Sequence, residues 1–202
     1  GVGSAAGAGE SLAPAGDVNG DGYSDFFDGA PGTSGGAGRV YLIYGRSALP
    51  PVVSLGDLAD LGMGCSFLGE GFQSNEGPPG ADCYAGASLA VFERGGGARD
   101  LVIGAPNFSP RGLSDCGKVY LLPVEAREPG QYSLGDIDRG RLPGGLITHE
   151  RQYDRLGAGV AAPGDVTGDG LDDLLVSAPN WYEQASVLYL IRGTGGAPAP
   201  PA

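Results

Sequence analysis

Three short blocks recur three times along this chain, always in the same order, and that periodicity restricts the fold more than any other feature. The first block reads Gly9-Glu-Ser-Leu-Ala13, Gly86-Ala-Ser-Leu-Ala90 and Gly157-Ala-Gly-Val-Ala161. The second closes an apolar run with Gly29-Ala-Pro31, Gly104-Ala-Pro106 and Ser177-Ala-Pro179. The third is Gly38-Arg-Val-Tyr-Leu-Ile-Tyr44, Gly117-Lys-Val-Tyr-Leu-Leu122 and Ser186-Val-Leu-Tyr-Leu-Ile191. The copies start 77 and 71 residues apart, the spacing of a repeated supersecondary unit. Each block is a short run of strand-forming residues bounded by Gly and Pro, so each unit predicts strands A, B and C. A fourth, D, is expected before the next unit, at Cys65-Ser-Phe-Leu68 and Gly145-Leu-Ile-Thr148. The 40 glycines and 16 prolines argue for many turns and against long helices. The expected class is all-β, a propeller or a sandwich.

Between strands A and B of the first and third units lie two acidic segments, Asp17-Val-Asn19-Gly-Asp21-Gly22-Tyr23-Ser-Asp25 and Asp165-Val-Thr167-Gly-Asp169-Gly170-Leu171-Asp-Asp173. Each places an oxygen side chain at positions one, three, five and nine and glycine at six. Hard cations such as calcium take several oxygens, which alternate residues of a tight loop can supply together. Three carboxylates held this close repel one another without a cation, and the glycine permits the sharp turn. An EF-hand needs a bidentate Glu at position twelve and flanking helices. Those positions hold Asp28 and Val176, and the flanks are rich in Pro and Gly. Calcium is therefore expected at two sites, one in each loop. The middle unit reads Glu93-Arg-Gly-Gly-Gly-Ala-Arg99-Asp100, two residues shorter, and keeps only Asp100 of the ligand set. No metal is expected there, with Arg94 or Arg99 standing where the cation would be.

The Gly-x-Ser-Leu-Ala start, the Asp-x-Asn-x-Asp-Gly-x-x-Asp loop and the Gly-Ala-Pro end resemble the FG-GAP repeat of integrin α-subunit β-propellers. They are closer still to bacterial and algal extracellular proteins that carry such repeats. The resemblance covers roughly residues 7–192. It implies β-propeller-type blades of about four antiparallel strands, calcium in the A–B loops of one face, and partner contacts through the other. It also implies backbone-carbonyl ligands at Tyr23 and Leu171. The units are residues 7–84, 85–155 and 156–192, the last lacking strand D, with a Pro/Gly-rich tail over 193–202. Three blades are incomplete as a closed propeller. Residues 1–6 are therefore expected to complete an open blade by β-addition, giving a filament, slightly favoured, or a closed ring of two chains. Association with a larger propeller chain is the other expectation.

The net charge of −12 argues against nucleic acid and anionic membrane as partners. Two calcium ions would bring it to −8. No apolar run approaches the roughly 20 residues of a membrane span. No leader is visible, which leaves a mature chain, a fragment or a cytosolic protein. Millimolar extracellular calcium, an N-glycosylation pattern at Asn107-Phe-Ser109 and the Pro-rich tail favour an extracellular or cell-surface location. In the blade scheme Cys83 and Cys116 fall on the non-calcium face, so their pairing as a disulfide is favoured, with Cys65–Cys83 or three buried thiols as alternatives. His149 reads as a lone exposed histidine, and Tyr41, Tyr44, Tyr120 and Tyr189 as sheet packing. The insertion at 72–81 is either a contact loop or idle surface. No nucleophile or acid/base constellation is visible, so no enzyme is expected. The expected function is a calcium-stabilised extracellular structural or adhesion module. A receptor fragment that binds protein or carbohydrate is the alternative.

Overall fold

The structure is a computed structural model that describes residues 7–70, 82–110, 113–149, 151–180, 182 and 186–193. It contains twelve strands and one short helix, α1 (Gly135–Asp138), among those residues. Blade 1 is the antiparallel series β1 (Ser11–Gly16), β2 (Asp25–Ala30), β3 (Arg39–Ile43) and β4 (Gly64–Leu68). Blade 2 is β5 (Ser88–Gly95), β6 (Ala98–Ala105), β7 (Lys118–Pro123) and β9 (Gly145–Thr148). Blade 3 is β10 (Val160–Gly164), β11 (Asp173–Ala178) and β12 (Val187–Ile191). Both expected D strands form where the sequence placed them, and among the described residues the three sheets do not close into a barrel. Residues 1–6, 72–81 and 194–202 lie outside the described residues.

The register explains the repeat. Ala30 faces Arg39, Ala105 faces Lys118 and Ala178 faces Val187, so the Ala of each Gly/Ser-Ala-Pro block opens the pairing with strand C. Side chains alternate across a strand, so Val40 and Leu42 of β3 point toward blade 2. There they join Leu101, Ile103, Tyr120 and Leu122 in one core. Val119 and Leu121 of β7 do the same toward blade 3, with Leu174 and Val176. The A strands run side by side, β1 against β5 and β5 against β10. Pro14 sits in β1, an edge strand, where a missing N–H costs no ladder bond.

The joints between blades are built on backbone. Gly38 bridges to Ala85 in parallel, and Gly117 to Leu156. Ser11 Oγ donates to Gly86 O at 2.7 Å, and Ser88 Oγ to Gly157 O at 2.8 Å. Across the ladder from these serines stand Gly29 and Gly104. A Cβ on either would lie 2.3 or 2.0 Å from the same carbonyl oxygen of the following blade. Blade 3 exchanges the pair: Gly159 replaces the serine, Ser177 replaces the glycine, and Ser177 Oγ donates to Gly159 O at 3.3 Å.

Sequence reasoning missed one element, β8 (Gly130–Ser133), which lies between β7 and β9 but pairs in parallel with β4 of blade 1. Its end opens a further repeat, Ser54-Leu-Gly-Asp-Leu58 and Ser133-Leu-Gly-Asp-Ile137. Leu134 and Ile137 pack into the core between blades 1 and 2, while Leu55 and Leu58 pack over Tyr41 and Ile43 on the outer half of blade 1.

The expected disulfide partners Cys83 and Cys116 are both buried, as is Cys65. The two stand at successive joints of the repeat. Cys83 lies beside the Gly38–Ala85 bridge, where its Sγ donates to Ala37 O at 2.9 Å. Cys116 lies beside the Gly117–Leu156 bridge, one joint further on. Burial pushes the Cys65 and Cys83 thiols up to about 12.

Candidate calcium loops

The two acidic loops fold alike. In the first, Asp17 Oδ1 accepts from the backbone N–H of Gly20 and Asp21 at 2.8 and 3.1 Å, and Oδ2 from Gly22 at 2.9 Å. In the other, Asp165 Oδ1 accepts from Gly168 and Asp169 at 2.6 and 3.1 Å, and Oδ2 from Gly170 at 2.8 Å. Asp21 Oδ1 accepts from Tyr23 N at 2.9 Å, as Asp169 Oδ1 does from Leu171 N at 3.0 Å. The chain curls around its first carboxylate because Gly20, Gly22, Gly168 and Gly170 all take positive φ, between 75° and 88°.

The position-nine aspartates form the floor. Asp25 and Asp173 are 2% and 0% exposed. Asp25 accepts from Val18 N at 2.8 Å and from Gly45 N, just past strand C, at 2.7 Å. Asp173 accepts from Val166 N at 2.9 Å and Gly193 N at 3.1 Å. Burial alone would raise the Asp173 carboxyl, but the Gly193, Thr167 and Val166 amides with the Thr167 hydroxyl outweigh it and hold it below the ordinary value. Asp17, Asn19, Asp21, Asp165 and Asp169 are exposed at the loop surface.

As they stand, no three acidic side chains converge as a metal group among the described residues. The donor set nevertheless fits a hard cation. Each ligand set has three carboxylates and a neutral oxygen, from Asn19 or Thr167, and Thr167 Oγ1 is buried without a well-formed hydrogen bond. None of the six aspartates Asp17, Asp21, Asp25, Asp165, Asp169 and Asp173 forms an ion pair with a basic side chain among the described residues.

The middle blade resolves the same need differently. A tight Gly95-Gly96-Gly97 turn replaces the loop, and Arg94 Nε lies 2.7 Å from Asp100 Oδ2. The contact is a short ion pair. Asp100 is 3% exposed; burial pushes its carboxyl up, and Arg94 pulls it partly back. Of the two arginines the sequence offered, Arg94 is the partner. Arg94→Ala is expected to destabilise by about 3 kcal/mol near neutral pH, because it strands a buried charge. A group raised in the fold is relieved by its own protonation, so the penalty shrinks as pH falls through the raised value. Urea denaturation at neutral and acidic pH checks both parts.

His149 is not the lone exposed residue expected. Its ring is half-buried, with Nε2 3.2 Å from the Tyr189 hydroxyl and Nδ1 3.5 Å from Asp154 Oδ2, linking the end of β9 to blade 3. Tyr41 and Tyr120 are 5% and 0% exposed, as sheet packing requires. Asn107 is half-buried in the turn after β6. No helix among the described residues is long and apolar enough to cross a membrane.

Comparison with known proteins agrees with the blade geometry. The FG-GAP repeat family matches residues 8–43 and 157–191, the stretches that hold the two acidic loops. Phosphatidylinositol-glycan-specific phospholipase D from Mus musculus is 34% identical over 169 residues, covering 81% of this chain and 17% of that protein. Integrin alpha-IIb from Homo sapiens is 37% identical over 101 residues, 48% of this chain and 9% of that protein. Integrin alpha-V from Gallus gallus is 30% identical over 186 residues, 88% of this chain and 14% of that protein. The chain thus spans less than a fifth of the length of these relatives.

Proposed function

This is an FG-GAP repeat chain of the integrin-α-like propeller type, and from that premise we propose that it is a calcium-stabilised, extracellular adhesion or ligand-binding module. The observation that carries the reading is the match between the two loops, hydrogen bond for hydrogen bond, around Asp17 and Asp165. Asp17, Asn19, Asp21 and Asp25 hold one ion, with the Tyr23 carbonyl. Asp165, Thr167, Asp169 and Asp173 hold the other, with the Leu171 carbonyl. The ion supplies the positive charge that these carboxylates lack, and so fixes the A–B hairpin. Sites of this kind fill readily where calcium is millimolar, which favours the outside of a cell.

We assign no catalytic role to these residues; the match to the phospholipase D falls on the repeats. Partner binding is assigned to the blade surfaces. Leu188 and Leu190 of β12 are 64% and 47% exposed, whereas their counterparts Val119 and Leu121 in blade 2 are 0% and 3% exposed. No strand pairs with the outer edge of β12 among the described residues. That edge invites β-addition by a protein partner, another copy or a longer propeller chain. Isothermal titration with calcium tests the central assignment. The chain is expected to bind two ions, Asp21→Ala or Asp169→Ala one, and Asp100→Ala still two. Fewer than two in the unaltered chain, or a loss in Asp100→Ala, contradicts it.

A further inference from the structure

Blade 2 shows how a carboxylate serves the joint between blades. Lys118 is 3% exposed, and its ammonium meets Glu70 Oε1 at 2.7 Å. The Tyr120 hydroxyl donates to the same oxygen at 2.8 Å, and the Phe108 ring lies 4.2 Å from the Lys118 ammonium. Glu70 belongs to the preceding blade, two residues beyond β4. A buried base on one blade is thus neutralised by an acid of the blade before it.

Blade 1 has the base and lacks the acid. The register puts Arg39 where blade 2 has Lys118, and Tyr41 where it has Tyr120. Thr33, three residues after the Ala of the Ala-Pro pair, stands where blade 2 has Phe108. All three line one cavity of about 360 Å³, with Leu58, Ser66 and Gln131. Arg39 forms no ion pair among the described residues. Its Nη1 donates to Gln131 Oε1 at 3.1 Å and to Ser66 Oγ at 3.3 Å, which leaves Nε buried without a hydrogen-bond partner. Thr33 is 6% exposed and its Oγ1 is likewise unpartnered. Buried polar groups are normally satisfied, and two unused donors around one cavity, Arg39 Nε and Thr33 Oγ1, define a missing acceptor. The surrounding face is equally incomplete: Phe26 is 36% exposed, while its counterpart Leu101, covered by blade 1, is 0% exposed.

We propose that this cavity receives the carboxylate side chain of a glutamate or aspartate from a further blade of the same repeat type, docked before blade 1. The guanidinium edge suits a carboxylate, to which it can donate two parallel hydrogen bonds. The inference rests on the propeller reading and not on calcium.

The test follows the Arg39 Nε–H signal by NMR during titration with N-acetyl-glutamate α-amide, with N-acetyl-glutamine α-amide as the control. A saturable shift is expected with the glutamate probe, and binding of the glutamine probe about tenfold weaker or less. Arg39→Met should abolish the glutamate response. Tyr41→Phe, which removes only a hydroxyl, should weaken it and gives the same reading if Arg39→Met does not fold. Equal shifts with both probes, an unchanged response in the variants, or an Arg39 shift driven by protein concentration alone would overturn the assignment. The calcium stoichiometry is a separate readout, so failure here is distinct from failure of the calcium reading.

Discussion

Chelating calcium is expected to lower the melting temperature of this chain by about 10–20 °C. Each ion binds only the folded loop, which adds about 2.7 kcal/mol when calcium is a hundredfold above its dissociation constant. Two sites add about twice that, and for a chain of this size 1 kcal/mol moves the midpoint by about 2–4 °C. The sign follows from the loops: three like charges sit within one turn, and no basic side chain among the described residues pairs with them. Melts followed by circular dichroism, with millimolar calcium and with a chelator, make the comparison. The loss should be largest in the chain with both loops intact and about halved in Asp21→Ala or Asp169→Ala. Equal midpoints with and without calcium would contradict the account.

Gly38→Ala and Gly117→Ala should each cost about 3–5 kcal/mol, more than any surface change, because they combine a strained backbone with overpacking. Gly38 and Gly117 take φ of 79° and 84°, and a Cβ on either would lie 2.2 Å from backbone atoms of the next blade, the Ala85 oxygen and the Leu156 nitrogen. Backbone on both sides leaves nothing flexible to move aside. Gly20→Ala is the control: its φ is 77°, but a Cβ there meets nothing within 4 Å, so it should cost only about 1 kcal/mol. Urea denaturation separates the two classes. A joint variant as mild as the control would mean that the blades are not held by these bridges.

Much of the fold was legible because its signals are local. Strands A to C announce themselves by alternating apolar residues between Gly and Pro, and the acidic loops by their spacing. Arg94 or Arg99 could be named as the partner of Asp100 because only the shortened loop lacks the other aspartates. What stayed hidden depends on which blade faces which. Gly130-Gln-Tyr-Ser133 has no apolar alternation of its own and becomes a strand only against β4 of the neighbouring blade. That Cys83 and Cys116 stand at successive joints was also hidden. The Arg39 cavity needed both the register of β3 and the sight of Glu70 reaching Lys118 from the blade before. His149 looked isolated because Asp154 and Tyr189 meet it only through blade 3.

The most direct measurement is a crystal structure of the chain grown with calcium, with anomalous difference density collected at a long wavelength. Two peaks are predicted, one among Asp17, Asn19, Asp21 and Asp25 and one among Asp165, Thr167, Asp169 and Asp173, with none beside Asp100, where Arg94 holds the place. Empty loops, or a peak at Asp100, would contradict the account.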